Sequence, residues 1–250
     1  MQFEDRNILI TGGSGALGRR VVERIEREGG RVTIVARAPV AGHHTLVGDL
    51  SSPQGLDSVA GQAGVRAWDI LINIAGIQHF GPLEQQTPEH LLATYMVNLV
   101  APARLAQAVL PGMKARKHGQ IANVGSIFGS INFAHFASYS SAKAGMRALS
   151  QSLRRELAGT GVGVTYVAPR AVATPFNSAK VDEYARLTGM AVDDPDPIAD
   201  RIVAAIRSDR RDVYLGFPES LFVRLNALAP GLIDGALKSN DLKARALFAA

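Results

Sequence analysis

The chain contains no cysteine among its 250 residues. That absence removes disulfide frameworks, thiolate nucleophiles and cysteine-held zinc or iron–sulfur sites together. Aromatic residues are scarce, 6% of the chain against 47% hydrophobic residues in all. The core must therefore be built from Ala, Val, Leu, Ile and Gly, which suits helices packed closely on a parallel sheet. Basic residues exceed acidic ones, with a net charge of +5 and a pI near 9.7, but they are scattered. Only 114–117 and 207–211 group them, so the clustered face that nucleic acid requires is missing. The excess reads instead as solvated surface and as attraction for a phosphorylated ligand. No apolar run is long enough to cross a bilayer. The N-terminus passes from acidic 1–6 straight into Ile8-Leu9-Ile10, which leaves no room for a signal peptide and makes cytoplasmic location the expectation. Internal repeats and low-complexity linkers are also absent, so 1–250 is read as one domain.

What is present is a rhythm of short apolar runs and amphipathic stretches. Strands are expected at 7–10, 31–36, 46–47, 70–74, 121–124, 162–167 and 213–215, and helices at 17–28, 88–113, 139–158 and 197–206. Strands alternating with helices of this length imply right-handed crossovers and a doubly wound α/β fold, a seven-stranded parallel sheet with helices on both faces. Two regions break the rhythm. Residues 174–196, polar and bounded by Pro175 and Pro195, read as a long binding loop with at most a short helix. The tail from 218 onward reads as an apolar helical extension interrupted at Pro230-Gly231. It could dock on the body, cover a cleft, form a subunit contact, or lie against a membrane surface.

The segment Thr11-Gly12-Gly13-Ser14-Gly15-Ala16-Leu17-Gly18 follows the first strand and opens the first helix. In that context Gly13, Gly15 and Gly18 read as a phosphate-binding turn: bare backbone can approach a pyrophosphate, and the helix N-terminus favours its charge. The turn resembles the T-G-x-x-x-G-x-G motif of short-chain dehydrogenase/reductases, matched at Thr11, Gly12 and Gly18, with Ala16 where a glycine is usual. At the end of the second strand, where a carboxylate would accept the ribose hydroxyls of NAD, stand Ala36 and Arg37. A guanidinium pairs with a 2′-phosphate, so NADP is expected rather than NAD. The family resemblance further assigns Asp49 and Leu50 to the adenine, and Asn73, Ala75 and Gly76 to an N-N-A-G motif in which Ile74 replaces the second Asn.

Tyr139 and Lys143 lie four apart on a predicted helix and so share a face. A nearby ammonium is expected to lower the phenol pKa towards neutrality. Ser126 sits at the carboxyl end of the fifth strand, thirteen positions before Tyr139 as in the family, and Asn98 lies on the preceding helix where the family carries its catalytic Asn. The resemblance implies the roles: Tyr139 as general acid/base, Ser126 holding the substrate oxygen, Lys143 tuning the tyrosine and gripping the ribose, and Asn98 placing a relay water. It implies no metal. Pro169 and Thr174 match the ends of the family's P-G-x-x-x-T, whose Thr contacts the carboxamide. Arg170 replaces the Gly and could face a cofactor phosphate, an acidic substrate or solvent. His79 and His135 are read as pocket lining or surface. Phe128, Phe133, Phe136 and Phe176 point either to an apolar carbonyl or alcohol substrate or to core packing. A homo-oligomer is implied by the family. Two other readings stay open, a non-catalytic NADP-binding sensor and, among enzymes, a 3-oxoacyl thioester reductase.

Overall fold

The computed structural model describes residues 2–248. Seven parallel strands form the main sheet. They are β1 (Asn7–Thr11), β2 (Arg31–Ala36), β3 (His44–Val47), β4 (Ile70–Asn73), β5 (Gly119–Val124), β6 (Val162–Ala168) and β9 (Asp212–Tyr214), in the spatial order 3-2-1-4-5-6-9. The chain winds outward from β1 to β3 and then returns to place β4 on the other side of β1. That reversal opens a crevice beyond the carboxyl ends of β1 and β4.

The apolar runs are continuous because both faces of the sheet are covered. Ile8, Ile10, Ile34 and Ile72 face one way and meet Val21 and Ile25 of α1 (Ala16–Arg27) and Ile198 and Ile202 of α7 (Pro195–Arg207). Leu9, Val35, Leu71 and Ile121 face the other way and meet Leu56 and Val59 of α2 (Pro53–Gly64) and Leu105 and Val109 of α4 (Ala101–Arg116). Helix α2 escaped the sequence reading because its glycines dilute the apolar pattern. Its start signal was nonetheless present, Ser52 accepting from the Gly55 N–H ahead of Pro53 at the first helical position.

The single helix expected over 88–113 is three segments: α3 (Pro88–Tyr95), a π-turn at Met96–Val100, and α4. The wide π-turn carries Asn98 and turns it inward, a use of this rare geometry common at functional sites. The loop at 174–196 holds more structure than expected. It contains α6 (Ala179–Thr188), while β7 (Ala171–Val172) pairs with β8 (Val192–Asp193) to close its base.

The tail forms α8 (Glu219–Leu228) and α9 (Pro230–Ala246), separated at the Pro-Gly break. It docks on the body: Val223, Ile233 and Ala244 join Phe128, Phe136, Tyr139 and Tyr184 in a third core cluster. Asn226 donates to the Ser130 carbonyl at 2.8 Å and Lys243 to the Leu187 carbonyl at 3.0 Å. Among the described residues no helix is long and apolar enough to cross a membrane.

Candidate active site

A cleft of about 660 Å³ runs along the carboxyl ends of the strands. At its centre lies the turn between β1 and α1. Gly12 has φ +71°, and a side chain there would stand 2.7 Å from the Ala75 nitrogen, so only glycine lets the two loops touch. Thr11 Oγ1 accepts from the Ile74 and Ala75 N–H groups, both at 3.2 Å, which fastens the loop after β4 to the turn. No side chain of the described residues caps the start of α1, so its first N–H groups and positive end remain available to an anion. Ser14, Gly15, Ala16, Leu17 and Gly18 line the cleft, whereas Thr11 and Gly13 lie behind its wall. This bare cradle fits a pyrophosphate.

On the adenine side, Arg37, Asp49 and Leu50 line the cleft. Asp49 accepts from the Ser51 N–H and hydroxyl at 2.9 and 2.7 Å. Those bonds, helped by Arg37, hold its carboxyl below the usual range against a smaller burial effect. Arg37 is exposed. Its guanidinium is engaged by no hydrogen bond or ion pair among the described residues, in contrast to the paired Arg20, Arg24 and Arg170.

At the other end, Ser126, Tyr139 and Lys143 meet. Ser126 follows β5, and its Oγ accepts from the Phe128 N–H at 3.1 Å, while the Tyr166 hydroxyl of β6 donates to its carbonyl at 3.3 Å. Tyr139 and Lys143 stand on α5 (Ala137–Glu156). The Lys143 Nζ donates to the Val124 carbonyl at 3.2 Å and lies 5.8 Å from the centre of the Tyr139 ring. Asn98 donates to the Ile77 and Thr94 carbonyls at 2.7 and 2.8 Å, leaving its buried Oδ1 without a partner among the described residues. A methyl group placed on Gly76 would lie 2.9 Å from that oxygen and 3.7 Å from Lys143 Nζ. The two polar atoms thus face one spot at the cleft wall, where a donor between them would satisfy Oδ1.

The electrostatics correct one expectation. Burial pushes the Tyr139 phenol up to about 12, opposed by the Ser126 side chain, and pushes the Lys143 ammonium down to about 8. Desolvation outweighs the Ser126 hydrogen bond, so Tyr139 holds its proton at neutral pH.

The other predicted residues divide between the cleft wall and the structure behind it. Asn73 donates to Asn123 at 2.8 Å, Asn123 to Ser150 at 2.9 Å, and Ser150 to the Met146 carbonyl at 2.8 Å. This buried chain ties β4 and β5 to the helix that carries Tyr139. Ile74 takes no part in that chain; it lines the cleft and packs against the apolar core. Arg170 lines the cleft, but Asp193 and Glu219 engage its guanidinium at 2.7 to 2.9 Å. His79 and His135 are outside the lining, and Phe133 reaches the cleft only through Phe128, 4.5 Å between ring centres. Pro169, Thr174, Ala75 and Gly76 line the wall beside Phe128, Phe136 and Phe176. Sequence reasoning missed Gln78, whose amide donates to the Phe176 carbonyl at 2.9 Å across the mouth. It also missed Val181, Ala185, Met190 and Val192, which complete an apolar wall. Neither spacing nor composition marks these residues.

Comparison with known proteins agrees with this fold. The family described as short chain dehydrogenase matches residues 6–185. The chain belongs to that family, and so to the short-chain dehydrogenase/reductase oxidoreductases. The 3-oxoacyl-(acyl-carrier-protein) reductase FabG of Vibrio cholerae is 29% identical over 243 residues, covering 89% of this chain and 94% of that protein. FabG of Escherichia coli K12 is 31% identical over 195 residues, 73% of this chain and 80% of its own. A short-chain dehydrogenase structure from Streptomyces avermitilis superposes with a TM-score of 0.76 at 26% identity, covering 96% of this chain and 98% of its own. A second, from Burkholderia cenocepacia J2315 in complex with NADP, gives 0.80 at 24% identity and shares the fold, with 95% and 99% covered.

Proposed function

We propose that the protein reduces the carbonyl group of an apolar small molecule at the expense of NADPH. The observation that carries this reading is the convergence of Ser126, Tyr139, Lys143 and the orphan Asn98 Oδ1 at one end of a cleft whose other end presents the unpaired Arg37. NADPH, when bound, supplies a hydride. This chain's residues supply the rest. The free N–H groups opening α1 hold the pyrophosphate, and Arg37 donates to the 2′-phosphate that a carboxylate there would repel. Ser126 donates a hydrogen bond to the substrate oxygen, and Tyr139, protonated at neutral pH, gives its proton to that oxygen as charge develops there. Lys143 and Asn98 hold the ribose side and a proton path behind it. Gln78, Phe176 and the apolar wall shield the reacting atoms from water.

The FabG relatives favour a 3-oxoacyl thioester within the same chemistry, and the apolar wall suits such a chain. The NADP in the Burkholderia relative's structure supports the cofactor choice. Cytoplasmic location and assembly as a homo-oligomer belong to the same reading and rest on family likeness alone. Fluorescence titration with NADPH and NADH, followed by ketones and 3-oxoacyl thioesters, tests the reading. Tyr139→Phe should cost about 10²–10⁴-fold in turnover while NADPH binding persists. Residual activity within about tenfold of the parent, on the scale of general acid catalysis, would overturn the assignment; a protein that binds NADPH and reduces nothing would be a sensor.

A further inference from the structure

Arg170 stands at the root of the loop that walls the substrate side of the cleft. Its Nε and Nη2 donate to the two Asp193 oxygens at 2.9 and 2.7 Å. Residue 193 ends β8, so this fork joins the point where the loop leaves the body to the point where it returns. Its third nitrogen, Nη1, donates to Glu219 at 2.8 Å and to the Phe217 carbonyl at 3.3 Å, both at the entry to α8. One side chain therefore ties three segments: the departing strand β7, the returning strand β8 and the first turn of the tail.

The linkage is built in. The three charged side chains are only 17%, 22% and 19% exposed, so the fork is shielded from water and bidentate geometry counts for more than at the surface. Gly216, at φ +106°, lies directly under the arginine stem, and a Cβ there would stand 2.8 Å from Arg170 Cδ. Only glycine leaves room for the stem to pass. The β7–β8 pairing spans just two residue pairs, too little by itself to hold the loop's base. The wall so anchored includes Val172, Met190 and Val192. The tail anchored with it sends Val223 and Ile233 into the core cluster that holds Phe128 and Tyr139.

Resting on the proposed reduction of an apolar carbonyl, we infer that Arg170 is a positioning residue: it welds the substrate loop and the C-terminal helices into one cap and so sets the shape of the apolar pocket. Tyr139 shares an apolar cluster with the tail, but Ser126, Tyr139 and Lys143 hang from β5 and α5, which the buried chain from Asn73 to Ser150 fastens, so the reacting groups keep their places when the weld is cut. Arg170→Met, Glu219→Gln and the double variant test this. For an apolar ketone, KM should rise about tenfold in Arg170→Met with kcat within about threefold, the pattern of lost uniform binding. The double variant should be no worse than Arg170→Met alone, because both changes break one connection. Arg170→Lys, which keeps the charge but not the fork, should recover part of the loss.

Amide hydrogen exchange on the free protein gives a readout independent of turnover. In Arg170→Met, residues 171–193 and 217–228 should both exchange faster, while 119–124 and 137–156 stay protected. Unchanged exchange in either cap segment, an unchanged KM, or a kcat that falls as far as KM rises, would overturn the inference. If Arg170→Met does not fold, Asp193→Asn, which preserves shape and removes one charge, replaces it with the same expectations. Should the parent reduce no carbonyl, the proposed chemistry fails, and the exchange pattern still decides the role of Arg170.

Discussion

Replacing Lys143 by Met tests the electrostatics of the site without touching its shape. Lys143 is 3% exposed; its amine has the Val124 carbonyl as a hydrogen-bond partner and is pushed by burial from 10.5 to about 8. Between those values the unfolded chain carries a proton that the folded chain lacks. Stability therefore rises with pH across this window; the gain is complete above 10.5 and is lost as pH falls through 8. Each unit of difference is ~1.4 kcal/mol, so the interval from pH 8 to 9.5 contributes ~2 kcal/mol, or roughly 4–8 °C in Tm for a chain of this size. Tyr139, raised to about 12, acts in the opposite sense but only above pH 10, where the unfolded phenol begins to ionise. Thermal unfolding of parent and Lys143→Met, followed by circular dichroism from pH 7 to 9.5 without cofactor, isolates the amine because all other groups are common to both. The parent's Tm should climb relative to the variant's by that amount. Parallel profiles would mean that the ammonium is stably charged in the folded protein and that desolvation is not the controlling effect.

Three further outcomes follow from the same geometry. Arg37→Asp replaces the unpaired guanidinium with a repelling carboxylate; NADPH affinity should fall about 10–100-fold, as for loss of a charge-assisted pair, while NADH use improves, and unchanged Michaelis constants for both would remove Arg37 from the site. Gly12→Ala places a methyl 2.7 Å from backbone at φ +71°, which should destabilise the fold by about 2 kcal/mol or more in urea unfolding and weaken NADPH binding; a loss below about 0.5 kcal/mol, the scatter of harmless substitutions, would show that the two loops can part freely. Deleting 218–250 uncovers Phe128, Phe136 and Tyr184, which the tail helps to bury, so the truncated chain should aggregate or melt at lower temperature, whereas an active, equally stable product would show that the tail only lies on the surface.

Much of this molecule was legible before any coordinates. Period and composition located the strands of the sheet, because residues buried on both faces must be apolar whatever their neighbours. The turn at 11–18 and the pair Tyr139 and Lys143 were legible because local geometry constrains them: a strand-to-helix turn needs glycine, and positions four apart on a helix share a face. Other features depend on partners distant in sequence. The π-turn that aims Asn98 leaves no mark in helical periodicity. The buried chain from Asn73 to Ser150 joins residues 77 positions apart by sequence number. Arg170 found its carboxylates at 193 and 219, and nothing in its own neighbourhood favoured those over a phosphate. The tyrosine's pKa depends on how much water the folded surroundings exclude, which spacing along a helix does not reveal. Which local structures form, and which reactive groups they carry, can be read along the chain, since both follow from interactions within a few residues. Tertiary structure decided which distant groups meet, how dry the meeting place is and what walls it, because those depend on the packing of the whole chain.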